Sequence, residues 1–335
     1  MTSVPLIELT GLRVEYPGRG GDPVRAVRDV DLEIREGETL GLVGESGCGK
    51  STLGRAILRI TEPTAGSIRL LGREITGLRG TVFRQIRADL QMVFQDPFSS
   101  LNPRRRIADS VAEPLLRGRG VSRADAGRAV DELLDLVGLG RDAGRRRPHE
   151  FSGGQRQRIG IARALAPSPR FIVADEPVSA LDVSIQAQVV NLLADLTRER
   201  GLTMLFISHD LGVVRHIADR IAVMYLGQII EVADRDTFFD VPAHPYSEAL
   251  LSAVPTLDRE SDRERIVLAG ELPDPAHPPA GCLFHTRCRY AVERCRTEAP
   301  ALRSIQPGRT VRCHLPLVPQ DIPAPSTVTT GGTAQ

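Results

Sequence analysis

Residues 39–52 read Thr-Leu-Gly-Leu-Val-Gly-Glu-Ser-Gly-Cys-Gly-Lys-Ser-Thr. The apolar run Thr39–Val43 predicts a buried strand, and the apolar periodicity of Ser51–Arg59 predicts a helix. Between them, Gly44-Glu45-Ser46-Gly47-Cys48-Gly49-Lys50-Ser51 fits the pattern G-x-x-x-x-G-K-[ST]. Glycines let successive backbone N–H groups wrap anionic oxygens, and the helix start adds its positive end. In that reading Lys50 reaches the β/γ-phosphates of a nucleotide and the Ser51 hydroxyl binds Mg²⁺. A glycine turn before a helix can also be purely structural. The strand–loop–helix order is what phosphate binding requires.

The composition sharpens this. The 335 residues carry 43 Lys plus Arg against 42 Asp plus Glu, and Lys50 is the single lysine. Where arginine has replaced every other lysine, the one retained marks a place for a compact point charge, not a planar fork. The near-neutral balance gives no general reason to expect nucleic-acid binding. For the same reason Arg104–Arg106 and Arg145–Arg147 read as solvated faces, arginine being the default surface cation. No apolar run reaches the roughly 18–20 residues of a membrane span. The N-terminus lacks a basic region followed by an apolar core, so no export signal is expected.

Outward from the loop, Leu6, Glu8, Leu12, Val14 and Tyr16 alternate, and Val30–Ile34 repeats the pattern, so strands flank the Gly/Pro-rich Pro17–Pro23. From about Pro97 to Pro148 the pattern is helical and charged, most clearly in Asp125–Val137. An α/β alternation then resumes: strand Phe171–Ala174, helix Val183–Thr197, strand Thr203–Ile207, helix Leu211–Ala218, and a hairpin of Ile221–Tyr225 with Gln228–Val232. Beyond Phe238 the chain is rich in Pro and holds four of the five cysteines. Pro319–Gln335 has the composition of a disordered tail.

A second motif ends the strand at Phe171: Asp175-Glu176-Pro177. Two acids at a strand end are often a solvated turn. Beside a phosphate loop they supply a metal-side carboxylate, Asp175, and a general base for water, Glu176.

The third motif, Phe151-Ser152-Gly153-Gly154-Gln155, opens a helical run. With the two motifs above and with Tyr16, Gln95, Ser179–Asp182 and His209 it forms an ordered series, and over residues 6–235 the chain resembles the nucleotide-binding subunit of ATP-binding cassette (ABC) transporters. Phe151 departs from the Leu common at the signature's first position. The resemblance implies an α/β fold, an ABC-type P-loop nucleotide-binding domain with a helical subdomain at about 96–150, followed by a small Cys-containing C-terminal domain. It implies ATP and Mg²⁺ as ligands. Tyr16 would stack on adenine; Gly44, Glu45, Ser46, Gly47, Cys48, Gly49, Lys50, Ser51 and Thr52 would hold phosphates; Ser51, Gln95 and Asp175 would hold Mg²⁺. Glu176, His209, Gln95 and Lys50 would carry hydrolysis. Ser152, Gly153, Gly154, Gln155 and Asp182 would face the nucleotide of a second cassette, paired head to tail.

Gln95–Arg104 and His244-Pro245-Tyr246 resemble the oligopeptide/dipeptide importer branch. That resemblance implies an ATP-hydrolysing subunit at the cytoplasmic face of the membrane. It would work with two transmembrane permease subunits, a second and commonly distinct ATPase subunit, and an extracytoplasmic binding protein. Nickel, glutathione or an oligosaccharide are alternative cargoes. A non-transport cassette acting on nucleic acid or ribosomes is disfavoured, for want of coiled-coil heptads or a second cassette. Domains are expected at 1–237 and 238–318, with a tail at 319–335. Finally, Cys282-x5-Cys288-x6-Cys295-x17-Cys313 suggests a metal site, though without C-x-x-C or ferredoxin spacing. The importer resemblance implies a 4Fe–4S cluster there. Zinc is the alternative, with His285 or His314 replacing one thiolate, and free or bridged thiols are the third reading.

Overall fold

The computed structural model describes residues 4–18, 22–96, 101–254, 266–268 and 270–318. The tail expected at Pro319–Gln335, and Pro97–Ser100 within the Gln95–Arg104 stretch, lie outside these residues. Strands β1 (Ile7–Tyr16) and β2 (Val24–Ile34) pair antiparallel, with Leu9 opposite Leu32. Ile7, Leu9, Leu12 and Val14 are buried, and a register shift between Leu9 and Leu12 breaks the single alternation of Leu6, Glu8, Leu12, Val14 and Tyr16 that the sequence suggests. β3 (Thr39–Val43) leads into α1 (Lys50–Ile57). β4 (Ala65–Leu70) and β5 (Arg73–Glu74) then complete a small sheet of order β2-β1-β4-β5.

After α2 (Gly80–Arg87) and β6 (Leu90–Val93) the chain leaves the sheet for a helical part. This comprises α3 (Ile107–Pro114), a π-helical turn at Leu115–Arg119, α4 (Arg123–Leu136) and α5 (Gly153–Leu165). Pro114 lacks an N–H donor, and the helix widens just beyond it. Ser122 caps α4, its hydroxyl accepting from the Asp125 N–H.

The chain then returns through β7 (Phe171–Asp175), α6 (Val183–Arg200), β8 (Thr203–Ile207), α7 (Leu211–Ile217), β9 (Arg220–Tyr225) and β10 (Gln228–Asp234). Strands β9-β3-β8-β7-β6 run parallel, and every residue of β3, β7 and β8 is buried. Both faces of a parallel sheet are covered, which is why these strands read as continuous apolar runs and not as alternations. The C-terminal ends of β3, β6, β7 and β8 open on one edge, where α/β folds build sites.

Beyond β10 come α8 (Arg235–Asp240), α9 (Pro245–Ser252), α10 (Glu293–Thr297), β11 (Arg303–Gln306) and β12 (Arg309–Val311). The cysteine-bearing region is not a separate small domain, which corrects the expectation. β12 pairs with β10 in the main sheet, Glu231 opposite Val311, and Cys282, Phe284 and Cys295 pack into the same hydrophobic core as β7 and β8. A fully buried ion pair fastens the junction: Arg309 donates to Glu231 Oε1 at 2.8 Å, while the Ala243 and His244 N–H groups donate to the same carboxylate at 2.9 Å each. With its acceptors filled this way, a buried carboxylate is tolerated.

Candidate active site

The phosphate loop joins β3 to α1 as the sequence predicts. Gly44 (φ +152°) and Gly49 (φ +107°) are the positions that demand glycine. A Cβ would stand 2.2 Å from the Met224 carbonyl oxygen at the first and 2.2 Å from the Ala26 carbonyl oxygen at the second. Gly49 is the N-cap of α1 and offers no side-chain acceptor, so the first N–H groups of the helix are left for an anion. Lys50 is only 5% exposed, and its ammonium donates to the carbonyls of Gly44 (2.7 Å) and Glu45 (2.9 Å). It folds back into its own loop, a fit for a slender ammonium and not for a guanidinium fork. Thr52 follows on α1, Ser46 is exposed, and Cys48 is buried, its thiol pushed up by desolvation.

Ser51 donates to Asp175 Oδ1 at 2.7 Å, joining the start of α1 to the end of β7. Burial pushes the Asp175 carboxyl up, opposed by this hydrogen bond and by the Arg55 charge. Its Oδ2 is buried with no hydrogen-bond donor, 3.8 Å from Arg55. A serine hydroxyl beside a carboxylate oxygen that lacks a donor is an oxygen pair that fits a hard cation such as Mg²⁺.

The next residue, Glu176, adopts φ +45°, a left-handed conformation that costs a side-chain-bearing residue about 1–3 kcal/mol and clusters at functional sites. The turn aims its carboxylate at two others. Gln95 Nε2 donates to Glu176 Oε2 at 3.0 Å, and His209 Nδ1 lies 3.4 Å from the same oxygen. Thus Gln95, Lys50, Ser51, Asp175, Glu176 and His209, drawn from four loops after parallel strands, line one sheet edge.

Among the described residues, no hydrogen bond or ion pair joins Tyr16 or Ser152–Gln155 to that group. Tyr16 ends β1 and is 39% exposed. Ser152 and Gln155 form a reciprocal capping box at the start of α5, through Gln155 N–H to Ser152 Oγ (3.3 Å) and Ser152 N–H to Gln155 Oε1 (3.0 Å). Gly153 and Gly154 pack near Leu181 and Ile185. Asp182 caps α6 through the Ile185 N–H (3.0 Å), and that bond lowers its carboxyl below the usual range.

The four late cysteines line one enclosed cavity, together with Phe284, His285 and His314. The expected 4Fe–4S cluster is not supported there, and neither is zinc. Among the described residues no three Cys, His, Asp or Glu side chains are arranged to hold a metal ion. The cavity measures about 10 Å³, about the space of one water. Desolvation pushes the thiols of Cys282 and Cys288 up and that of Cys313 up to about 12. His285 and His314 each engage a ring nitrogen with a backbone carbonyl, of Cys282 and Glu298. All five cysteines are unbridged.

Sequence reading missed two residues at the loop. The Glu45 N–H donates to Tyr246 Oη at 2.8 Å, and Arg287 donates to both Glu45 carboxylate oxygens at 2.6 and 3.0 Å. The His244-Pro245-Tyr246 motif was the available signal for one; nothing local marks Arg287.

Comparison with known proteins agrees with this geometry. Residues 27–179 match the family described as ABC transporter, and residues 230–295 match the oligopeptide/dipeptide transporter, C-terminal region. The oligopeptide transport ATP-binding protein AppF of Bacillus subtilis (strain 168) is 50% identical over 319 residues, covering 92% of this chain and 97% of its own. The di/tripeptide transport ATP-binding protein DppF of Pseudomonas aeruginosa (strain UCBPP-PA14) is 51% identical over 296 residues, covering 88% and 91%. Among solved structures, the ATP-binding cassette MJ0796 bound to ADP and Pi superposes with a TM-score of 0.63 at 31% identity, covering 68% of this chain and 98% of its own. With the cassette and the C-terminal region both matched and these relatives aligned over 88% or more of both chains, the chain belongs to the ATP-hydrolysing ATP-binding subunits of ABC transporters, in their oligopeptide/dipeptide branch.

Proposed function

We propose that this ATPase powers binding-protein-dependent import of oligopeptides and dipeptides across the cytoplasmic membrane. The observation that carries the catalytic part is the convergence of Gln95 and His209 on Glu176 Oε2. A carboxylate held between an amide donor and an imidazole is oriented to take the proton of an attacking water. Gln95 fixes the rotamer of that base, and His209 stands where it can answer to a γ-phosphate. Lys50 and N–H groups of the loop other than that of Glu45 hold the phosphate chain, while Tyr16 offers its exposed ring to adenine. Magnesium, held by Ser51, Gln95 and Asp175, would neutralise phosphate charge. Ser152–Gln155 and Asp182 serve the ATP bound on a second cassette, so that ATP closes the pair and hydrolysis loosens it.

The remaining parts of the machine are other chains: two permease subunits, a second ATPase subunit that is a distinct paralogue, and an extracytoplasmic binding protein. No helix among the described residues is long and apolar enough to cross a membrane. A groove of about 610 Å³ beside Gln95, lined by Leu58, Ile60, Phe94, Arg117 and Arg163, suits the cytoplasmic helices of a permease and would place this subunit at the inner face of the membrane. In this reading residues 1–237 are the motor, with its helical subdomain at about 96–150, and 238–318 are the extension particular to peptide importers.

Glu176→Gln tests the motor. It is expected to keep ATP binding, lose hydrolysis by about 100-fold or more, and, mixed with its partner cassette, accumulate an ATP-bound dimer on size exclusion. Full turnover in that variant would remove the base assignment. ATP-dependent uptake of a labelled dipeptide by the reconstituted transporter tests the cargo. Uptake of nickel, glutathione or an oligosaccharide instead would redirect it, and stimulation by nucleic acid or ribosomes alone would overturn transport.

A further inference from the structure

The phosphate loop is gripped from outside the cassette. Glu45 is the loop residue after Gly44, and both of its functional groups are engaged by the C-terminal extension: its N–H by Tyr246 Oη, and its carboxylate by the two-pronged Arg287. Neither anchor is a surface accident. Tyr246 is fully buried, its ring 4.8 Å from Tyr225 and 5.4 Å from Phe284, and the Arg287 side chain is 6% exposed. Arg287 rides on a tight turn closed by hydrogen bonds from His285 N–H to the Cys282 carbonyl and from Arg287 N–H to the Phe284 carbonyl. Phe284 itself stacks into the Tyr225–Tyr246 cluster. One rigid aromatic unit therefore carries both grips.

The loop needs such support. Glycines at 44, 47 and 49 give it backbone freedom that must be lost when its N–H groups converge on phosphate. Glu45 also places a negative charge beside the incoming polyphosphate. A bidentate guanidinium offsets that charge and fixes its direction. We infer that Arg287 and Tyr246 are positioning residues for ATP: acting through Glu45, they hold the phosphate loop in its binding conformation, so that nucleotide affinity depends on the extension. This rests on the Lys50 loop being the ATP site.

The test uses the purified full chain, titrated with a fluorescent ATP analogue and Mg²⁺, alongside steady-state ATPase kinetics. Arg287→Met is expected to weaken nucleotide binding about tenfold and raise KM in parallel, with kcat within about twofold of the parent. Arg287→Lys, a single prong in place of two, is expected to recover part of the loss, and Tyr246→Phe to weaken binding about threefold. In a Glu45→Gln background Arg287→Met should add little, because the two act as one unit. Wild-type affinity in Arg287→Met, with only the melting temperature lowered, would make the pair a fold staple and overturn the proposal. A parent chain that binds no nucleotide would overturn this proposal together with the site on which it rests.

Discussion

Gln95 Nε2 and Glu176 Oε2 are 3.0 Å apart, a hydrogen bond that ties the loop leaving β6 to the turn leaving β7. The two residues are 81 positions apart in sequence, and the whole helical part is inserted between them. A shift of the helical part against the sheet therefore reaches the base through a single amide.

Gln95→Ala should release that carboxylate. The expected loss is about 10-fold to 100-fold in kcat, the range of one hydrogen bond to a charged group, with nucleotide binding changed far less. Phosphate-release kinetics beside an equilibrium binding titration would separate the two. An unchanged kcat would show that Glu176 needs no such guide.

Lys50→Arg is the conservative change that should fail. The ammonium bends back to two carbonyls of its own loop in a buried setting where a guanidinium has no room for its fork. ATP affinity is expected to fall about tenfold or more, because a charge-assisted contact to phosphate is lost. Parent-like binding by Lys50→Arg would mean that the sole lysine is there by chance.

Gly154→Ala probes the packing beneath the signature residues. The new methyl would sit 2.3 Å from Ile185 Cγ2, and an overpacked contact costs about 1–3 kcal/mol. The melting temperature should drop, and adding Ile185→Ala should restore most of it by removing the opposing methyl. If the double variant melts no higher than Gly154→Ala alone, the contact is not the cause.

His244 gives the protein an acid limit. It is buried at the N-cap of α9, where its Nδ1 accepts the Tyr246 N–H at 3.0 Å, so the ring is neutral; burial lowers its pKa from 6.5 to about 3. The unfolded chain binds this proton near pH 6.5 and the folded chain does not until about pH 3. The contribution is fully present above pH 6.5 and is lost as pH falls toward 3, at up to about 1.4 kcal/mol per pH unit from this one group. His244→Asn keeps a capping acceptor and removes the titration. Urea unfolding between pH 7 and pH 4 should show a shallower loss of stability in that variant. Equal slopes would place the acid sensitivity elsewhere.

The parallel strands were plain in sequence because burial on both faces leaves an unbroken apolar signature, as in Phe171–Ala174 and Thr203–Ile207. The loop was plain because its glycines and lysine carry chemistry at fixed spacing. What stayed hidden is instructive. β6 is four residues long, and α2 buries only Ile86, so neither leaves a periodic trace. The contacts that complete the site depend on pairs far apart in sequence: Arg287 with Glu45, 242 positions away, and Gln95 with Glu176. Cysteine spacing reports ligand candidates and says nothing of how the fold places them relative to one another. Among the described residues no three Cys, His, Asp or Glu side chains are arranged to hold a metal ion, and the extension that holds the cysteines is an annex of the main core.

That annexation bears on any attempt to shorten the protein. β10 is buried over Ile229–Ala233, and its outer edge is hydrogen-bonded by β12 at Glu231 and Val232. A chain cut at 237, where the composition changes, would present that edge bare, with Glu231 stripped of Arg309 and of the two amides that satisfy it. An unpaired apolar edge is a template for a second chain's strand. The extension thus doubles as the cover of an edge of the motor's main sheet.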